Sequence, residues 1–274
     1  MNTTRWDHVI LLSIVALLLP SCATKSPSAS PTPAASPTPA EVGGLVDVGG
    51  YALFISCEGT GAPTVVIEAG QFDRMGHWHR ILSEVAEFAR VCYYDRAGVG
   101  QSDPGPAPRT TQAMVDELHT LLGNAHLGGP FVLVGASFGG FNARLFTSEF
   151  PDEVAGLVLV DSEHPDQRER LKGHLPAGWE WVPFEGVDWE RSATQVNQVS
   201  SLGDTPLIVL TAGQHAFIGE GEQIWMEMQR ELSALSSNST HIIIEESGHH
   251  IYADQPTRVV DAIRTIVDAI RAGQ

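Results

Sequence analysis

Phe131-Val132-Leu133-Val134-Gly135-Ala136-Ser137-Phe138-Gly139-Gly140-Phe141 is the stretch whose reading decides the fold. Four apolar residues read as a buried strand. Gly135-x-Ser137-x-Gly139 follows, and then Phe141 to Phe150 reads as a helix stopped by Pro151. A serine on a sharp strand-to-helix turn has its hydroxyl thrust out beyond the sheet edge. Small neighbours are required because the backbone is strained and passes close to the next helix. The N–H of Phe138 would open that helix and could face an oxyanion. With 27 glycines in 274 residues, the five letters alone are a weak signal. Their weight comes from the strand, turn and helix around them.

Working outward, strands and helices alternate. Leu45–Val48, Gly49-Gly50 and Tyr51–Cys57 read as a hairpin, and Thr64–Glu68 as an apolar strand. Trp78, Ile81, Leu82, Val85 and Phe88 recur at helical spacing. Val91–Tyr94 is the next strand, followed by a helix capped by Thr110 with Met114, Val115, Leu118, Leu121 and Leu122 on its apolar face. After the serine strand come strands at Gly156–Val160, Pro206–Leu210 and His241–Glu245, and a final helix opening at Pro256. Eight strands with intervening helices predict a doubly wound, mostly parallel sheet. The interval 162–205 breaks the rhythm and is expected to be an insertion over the site. Its aromatic part, Gly178–Trp189, is expected to cover the Ser137 pocket.

The N-terminus is of another kind. Arg5 precedes an apolar run, Val9 to Leu19, too short to span a bilayer but suited to a signal-peptide core. Leu19-Pro20-Ser21-Cys22 resembles a bacterial lipobox, in which the cysteine becomes the lipidated first residue. That resemblance implies a signal segment over 1–21, export, and membrane attachment through a lipid at Cys22. Ordinary signal-peptidase cleavage and an uncleaved anchor are the alternatives. Residues 22–42, nearly all Ser, Pro, Thr and Ala, are expected to form a disordered tether, with the folded domain over 43–274.

Composition narrows the chemistry. A formal charge of −17, from 33 acidic and 16 basic residues, argues against nucleic acid as a partner. Three cysteines exclude a dense disulfide scaffold. With no CxxC and no HExxH, nothing predicts a metal or cofactor. A serine nucleophile needs a base, and the base an orienting group, both at the carboxyl ends of strands. The loop Ser247-Gly248-His249-His250 after the last strand offers two histidines for the base.

The chain resembles the α/β-hydrolase superfamily, and within it small bacterial serine hydrolases of the esterase, lipase and haloperoxidase-like type. The matching stretches are Asp95–Ser102 (a D-R-x-G-x-G-x-S pattern), Gly135–Gly140, Gly156–Asp161 and Ser247–Pro256, in family order. The resemblance implies Ser137 as nucleophile and His249 as base. Many relatives place the acid after the seventh strand. Here Thr211-Ala212-Gly213-Gln214-His215 holds no carboxylate, and none follows until Glu220. Other relatives place it at the end of the sixth, where Asp161 stands, so Asp161 is the expected acid and Glu220 or Glu222 the alternatives. Asp95 is expected to be structural. The loop that supplies the second oxyanion donor reads Glu68-Ala69-Gly70-Gln71-Phe72, without the H-G-x-P of many relatives, and the N–H of Gln71 is the candidate by position. Ala136 stands where many relatives carry histidine.

These features imply acyl transfer on a small-molecule ester. Serine at the elbow argues against dehalogenase and epoxide-hydrolase chemistry. Thioesterase, amidase, C–C hydrolase and perhydrolase activities stay open, as does a tethered binding protein on an inactive scaffold. Finally, in the sheet of this superfamily the second and fourth strands are antiparallel neighbours, which would place Cys57 opposite Cys92 and allow a disulfide in an exported protein.

Overall fold

A computed structural model describes residues 43–182 and 184–273. The expected signal segment, the tether and Cys22 lie outside the described residues. Eight strands form one sheet: β1 (Gly43–Asp47), β2 (Ala52–Glu58), β3 (Thr64–Glu68), β4 (Val91–Tyr94), β5 (Phe131–Ala136), β6 (Val154–Val160), β7 (Leu207–Ala212) and β8 (Ser239–Ile244). Their spatial order is β1-β2-β4-β3-β5-β6-β7-β8. Strand β2 pairs antiparallel with β1 and β4, and all other pairs are parallel. The helices are α1 (Met75–Ala86), α2 (Thr111–Asn124), α3 (Gly139–Glu149), α4 (Gln167–Arg170), α5 (Trp189–Val196), α6 (Gly221–Ser233), α7 (Ile251–Asp254) and α8 (Pro256–Ala272). Among the described residues no helix is long and apolar enough to cross a membrane.

Both sheet faces are covered, which explains why the central strands are continuous apolar runs rather than alternating ones. Val65, Ile67, Val132, Val134, Val158 and Val160 face a layer built from α1, α7 and α8. The residues between them, Val66, Leu133, Leu157 and Leu159, face α2, α3 and α5. The period of two along each strand thus divides one apolar run between two cores. Helix α8 follows its sequence pattern: Val259, Ile263, Ile266 and Val267 are buried on one stripe.

Strand β2 brings Cys57 opposite Cys92 of β4. Their Cα atoms are 4.0 Å apart and a disulfide joins them. Among the described residues, the interval between β6 and β7 holds α4, α5 and connecting loops.

Candidate active site

Four parallel strands deliver their carboxyl ends to one edge, as doubly wound sheets do. Ser137 follows β5, Asp161 follows β6, His215 lies beyond β7, and His249 lies beyond β8. Ser137 has φ 50° and Asp161 φ 41°, left-handed conformations that a side chain adopts only at a cost of about 1–3 kcal/mol each. The strained serine turn needs its glycines. A side chain at Gly139 would run into the carbonyls of Glu68 and Ala69.

The serine hydroxyl lies 3.1 Å from His249 Nε2, and His249 Nδ1 lies 2.7 Å from Asp161 Oδ2. Asp161 is fully buried. Its other oxygen, Oδ1, accepts from the Ala212 N–H and from Trp225 Nε1, each at 3.0 Å. Burial alone would raise the pKa of this carboxyl. Hydrogen bonds from His215 and His249 outweigh it and hold Asp161 below the usual carboxylate range. For His249, burial favours the neutral ring, but the Asp161 hydrogen bond and charge prevail and raise its pKa. The neighbouring His250 is exposed, and burial of part of its ring and then the His249 charge lower its pKa. His250 contacts neither Ser137 nor Asp161 through a hydrogen bond among the described residues. Among the described residues neither Glu220 nor Glu222 makes a hydrogen bond or ion pair with His249. Glu220 is exposed and precedes α6, whereas Glu222 Oε1 meets His215 Nδ1 at 3.0 Å.

The loop after β3 lies against the serine although it lacks the H-G-x-P pattern. A Cβ at Gly70 would sit 3.3 Å from the Ser137 Cβ. Two residues hold this loop. Asp73 Oδ2 accepts from the Gly70 N–H at 3.0 Å, and its Oδ1 accepts from the Tyr252 hydroxyl at 2.6 Å. Arg96 is buried and donates to the carbonyls of Ala69 (2.6 Å) and Gly70 (2.8 Å), to Glu68 (3.0 Å) and to Glu185 (2.8 and 2.9 Å). Among the described residues neither the Phe138 nor the Gln71 N–H has an intramolecular acceptor. Both remain free to donate to a ligand. Asp95 is half of the turn that presents Arg96: its Oδ2 accepts from the Gln101 N–H at 2.9 Å.

A cavity of about 450 Å³ opens onto Ser137 and His249. Trp179, Trp181, Val182, Leu171 and Phe217 give it apolar walls. The aromatic interval therefore does two different things. Trp179 and Trp181 line the cavity. Trp189 is a correction to the expectation: it is 5% exposed, belongs to the core with Phe141 and Ala193, and donates from Nε1 to Glu163 Oε2 at 2.6 Å. Glu163 was not singled out by sequence reasoning. It lines the cavity, accepts from Gln71 Nε2 at 2.5 Å, and burial raises its carboxyl pKa.

Asp161, His215 and His249 are also the one group among the described residues whose potential metal-ligating atoms lie within 4.8 Å of one another. Each nitrogen facing Asp161 lies at hydrogen-bond distance from the same carboxylate oxygen, 2.7 and 2.8 Å, the arrangement of two N–H donors on one acceptor. A metal would require those protons to be absent. The donor set is therefore read as a proton-sharing cluster.

Sheet order, the turn at Ser137 and the loop of His249 after the last strand together decide the architecture. This is an α/β-hydrolase fold. A family model described as the alpha/beta hydrolase fold matches residues 63–194. Among curated proteins, the chain is 29% identical over 210 residues to the uncharacterized protein YqjL of Bacillus subtilis, covering 73% of this chain and 81% of YqjL. An uncharacterized vacuolar membrane protein of Saccharomyces cerevisiae is 34% identical over 122 residues, which is 42% of this chain and only 19% of the yeast protein. Among solved structures, a thermophilic esterase from Thermogutta terrifontis superposes with a TM-score of 0.62 at 23% identity, covering 80% of this chain and 94% of that one. At that identity the likeness speaks to the α/β-hydrolase fold alone.

Proposed function

We propose that the protein is a serine hydrolase that cleaves carboxylic esters through an acyl-enzyme. One observation carries the reading: the unbroken hydrogen-bonded line from Ser137 Oγ through His249 to the buried Asp161. A serine hydroxyl is a poor nucleophile until a base within reach removes its proton as it attacks. In this reading His249 Nε2 takes the Ser137 proton while Oγ bonds to the ester carbonyl carbon. The carbonyl oxygen becomes an oxyanion, which the free N–H groups of Phe138 and Gln71 would stabilise. His249 then gives its proton to the departing alcohol as the C–O bond breaks. Water, deprotonated by the same histidine, attacks the acyl-enzyme, and Ser137 regains its proton as the acid leaves. Asp161 holds the Nδ1–H tautomer and stabilises the imidazolium formed on the way.

The walls of Trp179, Trp181, Leu171 and Phe217 support an apolar acyl or alcohol group. The proposal extends to location. The Cys57–Cys92 disulfide supports folding in an oxidising compartment. With the apolar run Val9–Leu19 and the lipobox-like Cys22, we place the domain outside the cytoplasm on a lipid anchor. Turnover of short p-nitrophenyl esters by the purified domain tests the activity. Hydrolysis well above the buffer rate, lost in Ser137→Ala, is the expected result. An inert wild-type protein across acetyl to octanoyl esters would refute it.

A further inference from the structure

Asp161 serves two imidazoles. The same oxygen, Oδ2, lies 2.7 Å from His249 Nδ1 and 2.8 Å from His215 Nε2. The far nitrogen of His215, Nδ1, lies 3.0 Å from Glu222 Oε1. A neutral imidazole has one N–H and one bare nitrogen, whereas the cation has two N–H groups. A bare nitrogen at such a distance from an ionised carboxylate would set lone pair against lone pair. Both His215 nitrogens therefore carry protons, and His215 is a cation between two anions. Its ring cannot turn away. The side chain is 6% exposed, Phe217 stacks on it at 4.9 Å, and Trp225 flanks it at 5.4 Å.

The charge sits close to the base, with ring centres 6.5 Å apart. The charged and titratable groups facing His249 are Asp161 beyond β6, Glu163 on the same segment, His215 beyond β7, and His250 beside it. Those facing His215 are Asp161, Glu222 from α6, and His249. Asp161 and Glu163 favour a proton on His249, and His215 opposes it.

We propose that His215 is a positioning residue, an imidazolium clamped by Glu222 against Asp161, which offsets the Asp161 charge and keeps His249 a free base further into the acidic range. The inference rests on the Ser137–His249–Asp161 reading above. It also accounts for the absence of a carboxylate from Gly213-Gln214-His215, directly after β7. The acid has moved to β6, and the vacated place supplies a cation that fixes the acid from the other side. At an effective dielectric near 20, a unit charge at this separation shifts the His249 titration by about two pH units.

The test compares the pH dependence of kcat/KM on a p-nitrophenyl ester for the wild type and His215→Gln. A glutamine amide can still donate to Asp161 but carries no charge. The expected result for His215→Gln is an acid limb displaced upward by half a pH unit or more, with KM within about twofold of wild type. Glu222→Gln tests the clamp itself: losing the Glu222 charge should let His215 give up its second proton at a lower pH than in the wild type, read by nitrogen NMR. A merely structural role would lower kcat at all pH values and leave the limb where it was. An unmoved or downward-moved limb in an active His215→Gln overturns the proposal. Nitrogen NMR of the wild-type histidine rings reads the charge without turnover, and so decides the matter if the variants do not fold. Two protonated nitrogens on His215 at pH 8 are expected, and one bare nitrogen overturns the proposal. A wild-type protein with no esterase activity would refute the hydrolase reading instead, a distinguishable outcome.

Discussion

His249 Nε2 meets the Ser137 hydroxyl at 3.1 Å across a sequence separation of 112 residues. Two loops at the ends of β5 and β8 make that meeting, and neither strand touches the other in the sheet. The relationship is therefore a product of the whole parallel sheet. The two residues should fail separately when substituted, since each does a different part of the work.

Replacing the acid tests the line from its buried end. In Asp161→Asn one oxygen becomes an NH2 group, which faces histidine donors and cannot accept from them. His249 is then released to the wrong tautomer. The expected loss in kcat is about 10⁴-fold, the size seen when a buried triad aspartate is amidated. Steady-state kinetics on a short ester gives the number, and a rate within tenfold of wild type would remove Asp161 from the account.

The two adjacent histidines should separate cleanly. His249→Ala removes the base and should leave less than a thousandth of the rate, whereas His250→Ala should stay within about fivefold. The pH profile follows from the sign of the His249 shift. The working form is the neutral ring, so the rate is lost as pH falls through the folded pKa. That pKa is raised above 6.5 because Asp161 outweighs burial. The acid limb of kcat/KM should accordingly lie above pH 6.5, and a limb below that value contradicts the assignment.

The tryptophans of the β6–β7 interval should divide by burial. Trp179 is 51% exposed at the cavity mouth, and Trp181 lines the same wall. Truncating either to alanine should change KM across an ester chain-length series with little effect on stability. Trp189→Ala should instead lower the unfolding free energy by about 3–5 kcal/mol, as expected for a large side chain removed from a core. Denaturant melts of the three variants make the comparison, and equal melts would contradict the division.

The turn at Ser137 was legible because everything it requires is local: an apolar run, small residues and a helix start. The place of Asp161 was legible only as a strand end. The sequence does not say that it holds two histidines, because the second reaches it across 54 residues through the packing of α6. Glu163 sits two positions from Asp161, and its partners Gln71 and Trp189 are 92 and 26 residues away. The loop lacking H-G-x-P looked unsupported. Its support comes from Asp73, which takes the Gly70 N–H three residues away and is anchored in turn by distant Tyr252, and from Arg96, which reaches its carbonyls from 26 and 27 residues away. Residue type also could not tell Trp189 from Trp179, since burial is decided by where α5 docks.

The Cys57–Cys92 bond closes a loop over a sequence separation of 35. Chain entropy assigns such a closure about 3–4 kcal/mol of stabilisation. Urea unfolding of the oxidised and the reduced, alkylated protein should differ by that amount. Coincident curves would mean that the bond does not constrain the unfolded chain.

The central claim is that Ser137 is activated by the residues that surround it. Intact-protein and peptide mass spectrometry after treatment with a fluorophosphonate tests that claim most directly, since only an activated serine reacts at a useful rate. The account predicts one adduct per chain, mapped to Ser137, and none in His249→Ala. An unlabelled wild-type protein, or an adduct on a different serine, would contradict it.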